Sequence, residues 1–300
     1  VLQLIRRYER EQPELEVVAW SRISYNWPDN RAIATLATIP MGHGTHIPDR
    51  KTIKDQLYRW SQRESRPIGG FGIYHGAVRR SLMERIKRRF SDRYFEHPTV
   101  DFDNTCKVVT EAKAMVFCQR PFSVLGACVA SNSASTQSFE AMQKLVDDFY
   151  RDLGDGQPIQ EDDFPFSPKL PGLAIFSSIA ATTWWFCRKY GVDNAGFQEN
   201  FVHSAIKECQ TSRTAEDYKL KVQGLRLGFE AFEGGVWASQ FNPPETFTPP
   251  PTENQVCGVV KDTLYVREAG LEKVKTPAEF YRFAEALLMP VKHVVSARKE

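Results

Sequence analysis

Apolar positions at helical spacing mark out most of the chain. "AVRRSLMERIKRRFSDRYF" (77–95) places Val78, Leu82, Ile86 and Phe90 four apart, with cations over the remaining faces, and predicts an amphipathic helix. In "SFEAMQKLVDDFYRDLGDG" (138–156), Phe139, Met142, Leu145, Phe149 and Leu153 form one stripe, and Gly154 sits where a left-handed C-cap is needed. "PGLAIFSSIAATTWWFCRKYGV" (171–192) is mostly apolar and predicts a buried helix that ends at Gly191, with Arg188 and Lys189 where the helix dipole favours cations. "TAEDYKLKVQGLRLGFEAFEGG" (214–235) predicts a helix capped by Thr214 and stopped at Gly234 and Gly235. "TPAEFYRFAEALLMP" (276–290) carries Thr276 as N-cap, Pro277 at N1 and Glu279 at N3, a capping box that Pro290 closes off downstream.

Other stretches follow different rules. "ELEVVAW" and "RAIATLATI" have the composition of strands between turn-like segments. "CKVVTEAKAMVFC" (106–118) fits a strand or a short buried helix, and periodicity does not separate the two. Residues 242–252 hold five prolines and predict an extended arm. Gly224 and Gly228 stand one helical turn apart, each costing roughly 1 kcal/mol against alanine, which points to close helix–helix approach there. The expected architecture is mainly α. It has an N-terminal region of unclear fold (1–100), a helical core domain (101–240) and a proline-rich C-terminal arm with a terminal helix (241–300), and some β is possible in 15–40 and 106–118.

Composition adds constraints. Three hundred residues suffice for a sizeable core. A net charge of +2 is too small to imply nucleic-acid binding by itself, so any such role has to come from local clustering. Seven cations against two acids between 79 and 93 supply one cluster, with Arg79, Arg80, Lys87 and Arg88 spaced to track a phosphate backbone or to form a solvated face. The six cysteines include no C-x-x-C pair, which fits reduced thiols and neither zinc nor a disulfide framework. No eighteen-residue apolar run spans a membrane and no secretory signal opens the chain, which begins at Val1 and reads as trimmed or partial.

Catalytic signals are sparse. Phosphate-cradling glycine loops and nucleophile elbows are missing from the sequence. His43 and His46 in "HGTH" lack the glutamate of a metalloprotease helix and read as loop residues; no metal or cofactor is expected. "DFDNTCKVVTEAKA" sets Asp103 before Glu111-x-Lys113, similar to the acid-then-E-x-K arrangement of metal-dependent nucleases, in which carboxylates hold a cation that activates water. A solvated Glu–Lys pair is the alternative. Trp184 and Trp185 are expected in the core rather than as base-stacking platforms.

Three separated stretches then line up: "AATTWWFCRKYGVDNAGFQENF" (180–201), "GFEAFEGGV" (228–236) and "TPPPTENQ" (248–255). Together they resemble the C-terminal half of the coat proteins of flexuous filamentous plant viruses, of the alphaflexivirus and betaflexivirus type, over about residues 170–260. The resemblance implies a non-enzymatic coat protein that polymerises with identical subunits into a helical filament on single-stranded RNA, found in the virion and the host cytoplasm. It implies that Glu230 takes the place of the family's aspartate and anchors a basic residue at an RNA groove. Lys169, Arg188 and Arg226 are the available cations. The insert between Phe201 and Phe229 is longer than in the family, and the first hundred residues have no counterpart.

Overall fold

A computed structural model describes residues 1–27, 37–67, 70–128, 144, 147–149, 151–152, 163–170, 173–212, 214–249, 257–267, 274, 276–295 and 298–299. Its framework is a mixed sheet. The strands are β1 (Leu15–Asn26), β2 (Ala37–Pro40), β3 (Thr45–Ile47), β4 (Gly76–Val78), β5 (Ala114–Ala127), β6 (Gly258–Val260), β7 (Thr263–Val266) and β8 (Arg298–Lys299), in the order β6-β7-β2-β1-β5-β3-β8, with β4 also paired to β1. β1 and β5 run parallel at the centre. A parallel pair needs a long crossover, and here that crossover contains the helices α2 (Arg50–Tyr58), α3 (Arg80–Arg89) and α4 (Val100–Glu111).

Both faces of the central pair are covered, which explains why Leu15–Ala19 is continuously buried rather than alternating. On one face Val17, Ala19 and Met115 pack against Leu57 and Tyr58 of α2, Leu82 and Ile86 of α3, and Cys106, Val108 and Val109 of α4. The opposite face buries Val18, Val116 and Cys118 under Leu4 and Tyr8 of α1 (Leu2–Glu11). Farther along β1, Ile23 and Tyr25 pack with Phe280, Ala284 and Leu288 of α8 (Pro277–Leu287) and the residue after it.

A second core lies beside the sheet. It is built by α5 (Ala174–Tyr190), α6 (Phe197–Gln210) and α7 (Ala215–Ala231). α5 serves both cores: Phe176, Ile179 and Trp184 enter the second, and Trp185, Phe186 and Cys187 enter the first. This double burial explains why its sequence is apolar on every side. Trp184 and Trp185 are therefore core residues, 5% and 2% exposed. All six cysteines are free, and burial pushes the Cys187 and Cys209 thiols up to about 12.

The expectation of a mainly α chain is corrected to mixed α/β. The sheet takes strands from each of the three stretches 1–100, 101–240 and 241–300, since β1 pairs with β5 and β2 pairs with β7. Residues 106–118 divide between the two readings offered for them: α4 runs to Glu111 and β5 starts at Ala114. α5 ends as expected at Gly191, in the left-handed conformation (φ 61°). Thr214 caps α7, which stops at Ala231, and α8 carries the complete capping box. The cationic helix is shorter than 77–95, because Gly76–Val78 forms β4 before α3 begins. The helix expected over 138–156 lies almost wholly outside the described residues.

Gly228 of α7 makes room for a ring. A Cβ on Gly228 would sit 2.4 Å from Cδ1 of Phe166, a fully buried residue of the segment leading into α5. Phe166 is held edge-on by Phe201, Phe229 and Phe232, with centroids at 4.8, 4.8 and 5.4 Å, so it has little room to yield. Gly228→Ala gains about 1 kcal/mol of helix propensity but overpacks this contact at a cost of about 1–3 kcal/mol. We expect a lower urea midpoint for G228A, restored in the G228A/F166L double variant. An unchanged or raised midpoint in G228A would remove the argument.

Candidate functional site

Two of the three stretches that carry the resemblance, 180–201 and 228–236, meet around the second core; the third, 248–255, lies outside the described residues apart from Thr248 and Pro249. Trp184 of α5 contacts Phe197 and Phe232 with ring centroids 5.2 and 5.4 Å away. Phe197 stacks on Phe201 along α6 at 5.1 Å, and Phe229 of α7 reaches Phe241 at 5.0 Å. Described residues of the proline segment fold back on the same core. The Tyr218 hydroxyl donates to the carbonyl of Pro244, and its ring lies 5.7 Å from Phe247. The stretch 242–249 therefore docks on its own α7 over these contacts.

Glu230 does not enter the aromatic face. One residue turns the helix by about 100°, so Phe229 points inward while Glu230 is exposed, with no ion pair or hydrogen bond of its carboxylate among the described residues. The acid that joins the motifs is Glu233, in the turn after α7. Its carboxylate accepts from Gln198 Nε2 at 2.8 Å and Trp237 Nε1 at 2.7 Å, from a left-handed backbone position (φ 48°). Sequence reading passed over Glu233, although its place directly before Gly234–Gly235 marks a turn whose side chain could reach back.

Among the expected RNA-contacting cations, Lys169 and Arg226 are exposed. Arg188 pairs with Asp163 at 3.1 Å, the same carboxylate that lies 3.3 Å from Trp184 Nε1. The cationic side of α3 is largely answered by acids of this chain. Arg79 meets Glu9 at 2.9 Å, Lys87 approaches Asp92 at 4.0 Å, and Arg89 meets Glu111 at 2.9 Å. Arg85 grips Glu16 through both oxygens at 3.0 and 2.7 Å. Burial opposes ionisation of Glu16, yet Arg85 and the backbone N–H of Lys113 hold its carboxyl below the ordinary value. Arg80, its side chain 92% exposed and 3.7 Å from Glu84, and Arg88 face outward on α3, as does Arg89, which is committed to Glu111.

Asp103, Glu111 and Lys113 do not converge. Asp103 and Glu111 both lie on α4, eight residues apart, or about 12 Å along the axis at 1.5 Å per residue. Glu111 serves Arg85 and Arg89 at the helix end. Asp103 is fully buried, where its Oδ2 accepts from the backbone N–H of Glu96 (2.6 Å) and of His97 (3.2 Å) and from Lys107 Nζ (3.0 Å). His43 precedes β3 and His46 lies within it, where the His46 ring rests on Phe117 at 5.2 Å. Among the described residues no group of three or more His, Cys, Asp and Glu has the arrangement of a metal site.

Lys107 is the centre of a buried charge network. Its ammonium also touches Glu96 at 3.0 Å, and Glu96 is further bonded by Lys189 at 2.8 Å and by the Tyr190 hydroxyl. Burial opposes the Glu96 charge, but these donors pull its carboxyl down to about 2. His97 is 6% exposed, and burial together with the Lys107 charge lowers its imidazole to about 4. Its Nδ1 accepts from the Thr99 N–H at 3.2 Å, which fits the neutral ring. Comparison with family models, curated proteins and solved structures finds no match to this chain.

The network makes stability depend on pH. The unfolded chain protonates His97 near 6.5 whereas the native chain does so only near 4, so the stabilisation is complete above 6.5 and is lost as the pH falls to 4. The loss amounts to about 3 kcal/mol, read from urea midpoints, and His97→Gln should flatten that part of the profile. Lys107→Met leaves buried Asp103 without its cation and takes one of two cations from Glu96, and should cost about 3–5 kcal/mol at neutral pH. Near-wild-type stability in K107M would mean the network contributes nothing.

Proposed function

We propose that the protein is a viral coat protein that polymerises into a flexible helical filament and encloses single-stranded RNA through sequence-independent backbone contacts. The observation that supports this reading most is the Gln198–Glu233–Trp237 linkage. It joins the aromatic–glutamine turn of the first resembling stretch to the glycine turn of the second, around one aromatic core. The resemblance spans about residues 170–260, and the strands β1 to β5 lie outside it.

In this reading the outer side of α7 meets neighbouring copies. Arg226, Leu227 and Glu230 are exposed there, followed by Val236 at 62% exposure. Glu230 then finds its cation on an adjacent subunit rather than within its own chain. A head-to-tail contact of this kind does not close and so extends indefinitely. Lys169, Arg188, Arg226, Arg79, Arg80, Lys87 and Arg88 are the proposed backbone contacts, with Arg80 and Arg88 the most available. Because such binding releases counterions, affinity should fall steeply with salt. No catalytic step, cofactor or metal belongs to this function. No helix among the described residues is long and apolar enough to cross a membrane.

Negative-stain microscopy of the purified protein mixed with single-stranded RNA at low salt should show flexible rods. Discrete particles under every condition would refute the coat reading. Glu230→Gln should shorten or abolish the rods while leaving the fold intact by circular dichroism. Arg80→Glu with Arg88→Glu should weaken binding to an RNA oligomer at least tenfold and lower its salt slope by about 2.

A further inference from the structure

The helix α2 breaks an electrostatic rule. Asp49 caps it by accepting from Thr52, but the first turn itself holds Arg50 and Lys51 and no acid, so two cations stand at the positive end of the helix dipole. Lys54 follows one turn after Arg50, a like-charge pair at i and i+4. Local departures of this sort concentrate where a site needs them.

These residues line a cleft of about 580 Å³ between α2, the end of α4 and the loop after α5, bounded by Arg50, Lys51, Lys54, Asp55, Tyr58, Arg59, Thr110, Val192 and Asp193. Four lining residues are cationic and two are anionic. The acids are already engaged. Asp55 holds Lys51 at 2.7 Å and Arg59 at 3.4 Å, and Asp193 holds Arg59. Arg50 and Lys54 are left without a carboxylate. Arg50 donates from Nη2 to the carbonyl of Thr110 at 3.3 Å, and its buried Nε has no partner. Lys54 makes no hydrogen bond or ion pair among the described residues. Desolvation and then the Arg50 charge lower its ammonium below the ordinary value, against the opposing pull of Glu111. Glu111 itself is taken up by Arg89 at 2.9 Å and Arg85 at 3.7 Å.

We infer that this cleft is a binding site for the phosphate group of a phosphomonoester, held between the guanidinium of Arg50 and the ammonium of Lys54. A phosphomonoester carries nearly two negative charges near neutrality and so matches the two unmatched cations. A planar guanidinium offers paired donors to phosphate oxygens, and the lysine adds a point charge. The cleft volume falls in the range of small-molecule sites and accommodates a ligand of mononucleotide size. Its cation pair lies outside α3 and the resembling stretches, although Val192 and Asp193 of the first stretch form one wall of the cleft.

Titration calorimetry at constant ionic strength tests it with inorganic phosphate and a 5′-mononucleotide against the full chain. Saturable one-to-one binding is expected, weakened at least tenfold in Arg50→Gln and in Lys54→Met, with Lys51→Gln nearly unchanged because Lys51 is already paired. A thermal melt separates a ligand site from a structural role: K54M removes like-charge repulsion, so it should melt no lower than wild type without phosphate and lose the rise that phosphate gives wild type. Competition by an RNA oligomer lacking terminal phosphates would assign the same site to backbone phosphates, and no competition would assign it to a free phosphate ligand. Absence of binding to wild type up to millimolar phosphate and mononucleotide, or equal binding by the R50Q/K54M double variant, would overturn the site. Either result leaves filament formation to be judged by microscopy alone.

Discussion

Ten registered residue pairs join β1 to β5 in parallel, across a sequence separation of about a hundred residues, and nearly every other element takes its place from that pairing. A parallel ladder buried on both faces needs cover above and below. α1 supplies one cover, and α2, α3 and α4, all drawn from the crossover, supply the other. The same strand fixes α8 as well. Arg120 of β5 is 1% exposed, donates to the Met289 carbonyl at 2.7 Å and pairs with Glu285 at 2.6 Å. Loop closure across such a separation is entropically unfavourable, so the apolar burial on both faces has to offset it.

α5 couples this sheet to the aromatic core. Its two buried sides mean that neither core can shift without moving the other, because Trp184 and Trp185 are adjacent residues facing opposite cores. The Lys107 network sits at the same junction, since Lys189 and Tyr190 at the end of α5 bond Glu96 while Asp103 and Lys107 belong to α4. Buried charges are a weak source of net stability but impose one geometry. Here they fix how α4 lies against α5.

Capping chemistry made some helices legible in the sequence, though α2 is capped by Asp49 and had too short an apolar stripe to reveal it, while α3 lacks a side-chain cap and was read from its stripe. α7 and α8 begin at Thr214 and Thr276, whose hydroxyls do cap, and α5 ends at a left-handed glycine; all three were readable. α1, α4 and α6 start at Val1, Thr99 and Gly196 with no side-chain cap, and each escaped a firm reading. α4 adds a second difficulty: Asp103, Asn104, Thr105 and Lys107 are buried polar residues, so hydrophobicity traces no face. The sheet was underestimated because its strands pair over long separations, which no local pattern encodes. The exposure of Glu230 follows from its phase on α7, and the bridging by Glu233 from where the helix stops, three residues before the glycines that were expected to end it. The cleft at Arg50 and Lys54 joins three distant segments and left only one local trace, cations in an N-terminal helical turn.

The sheet tapers at its margins: β6 has three residues and β8 has two. A long bare strand invites another chain to hydrogen-bond alongside it, and these stubs give little backbone for such an addition. Copies of this molecule therefore have small reward for merging their sheets into a stiff, amyloid-like ribbon. Any extended array has to be knitted by side chains on the helical flank, where each joint can pivot.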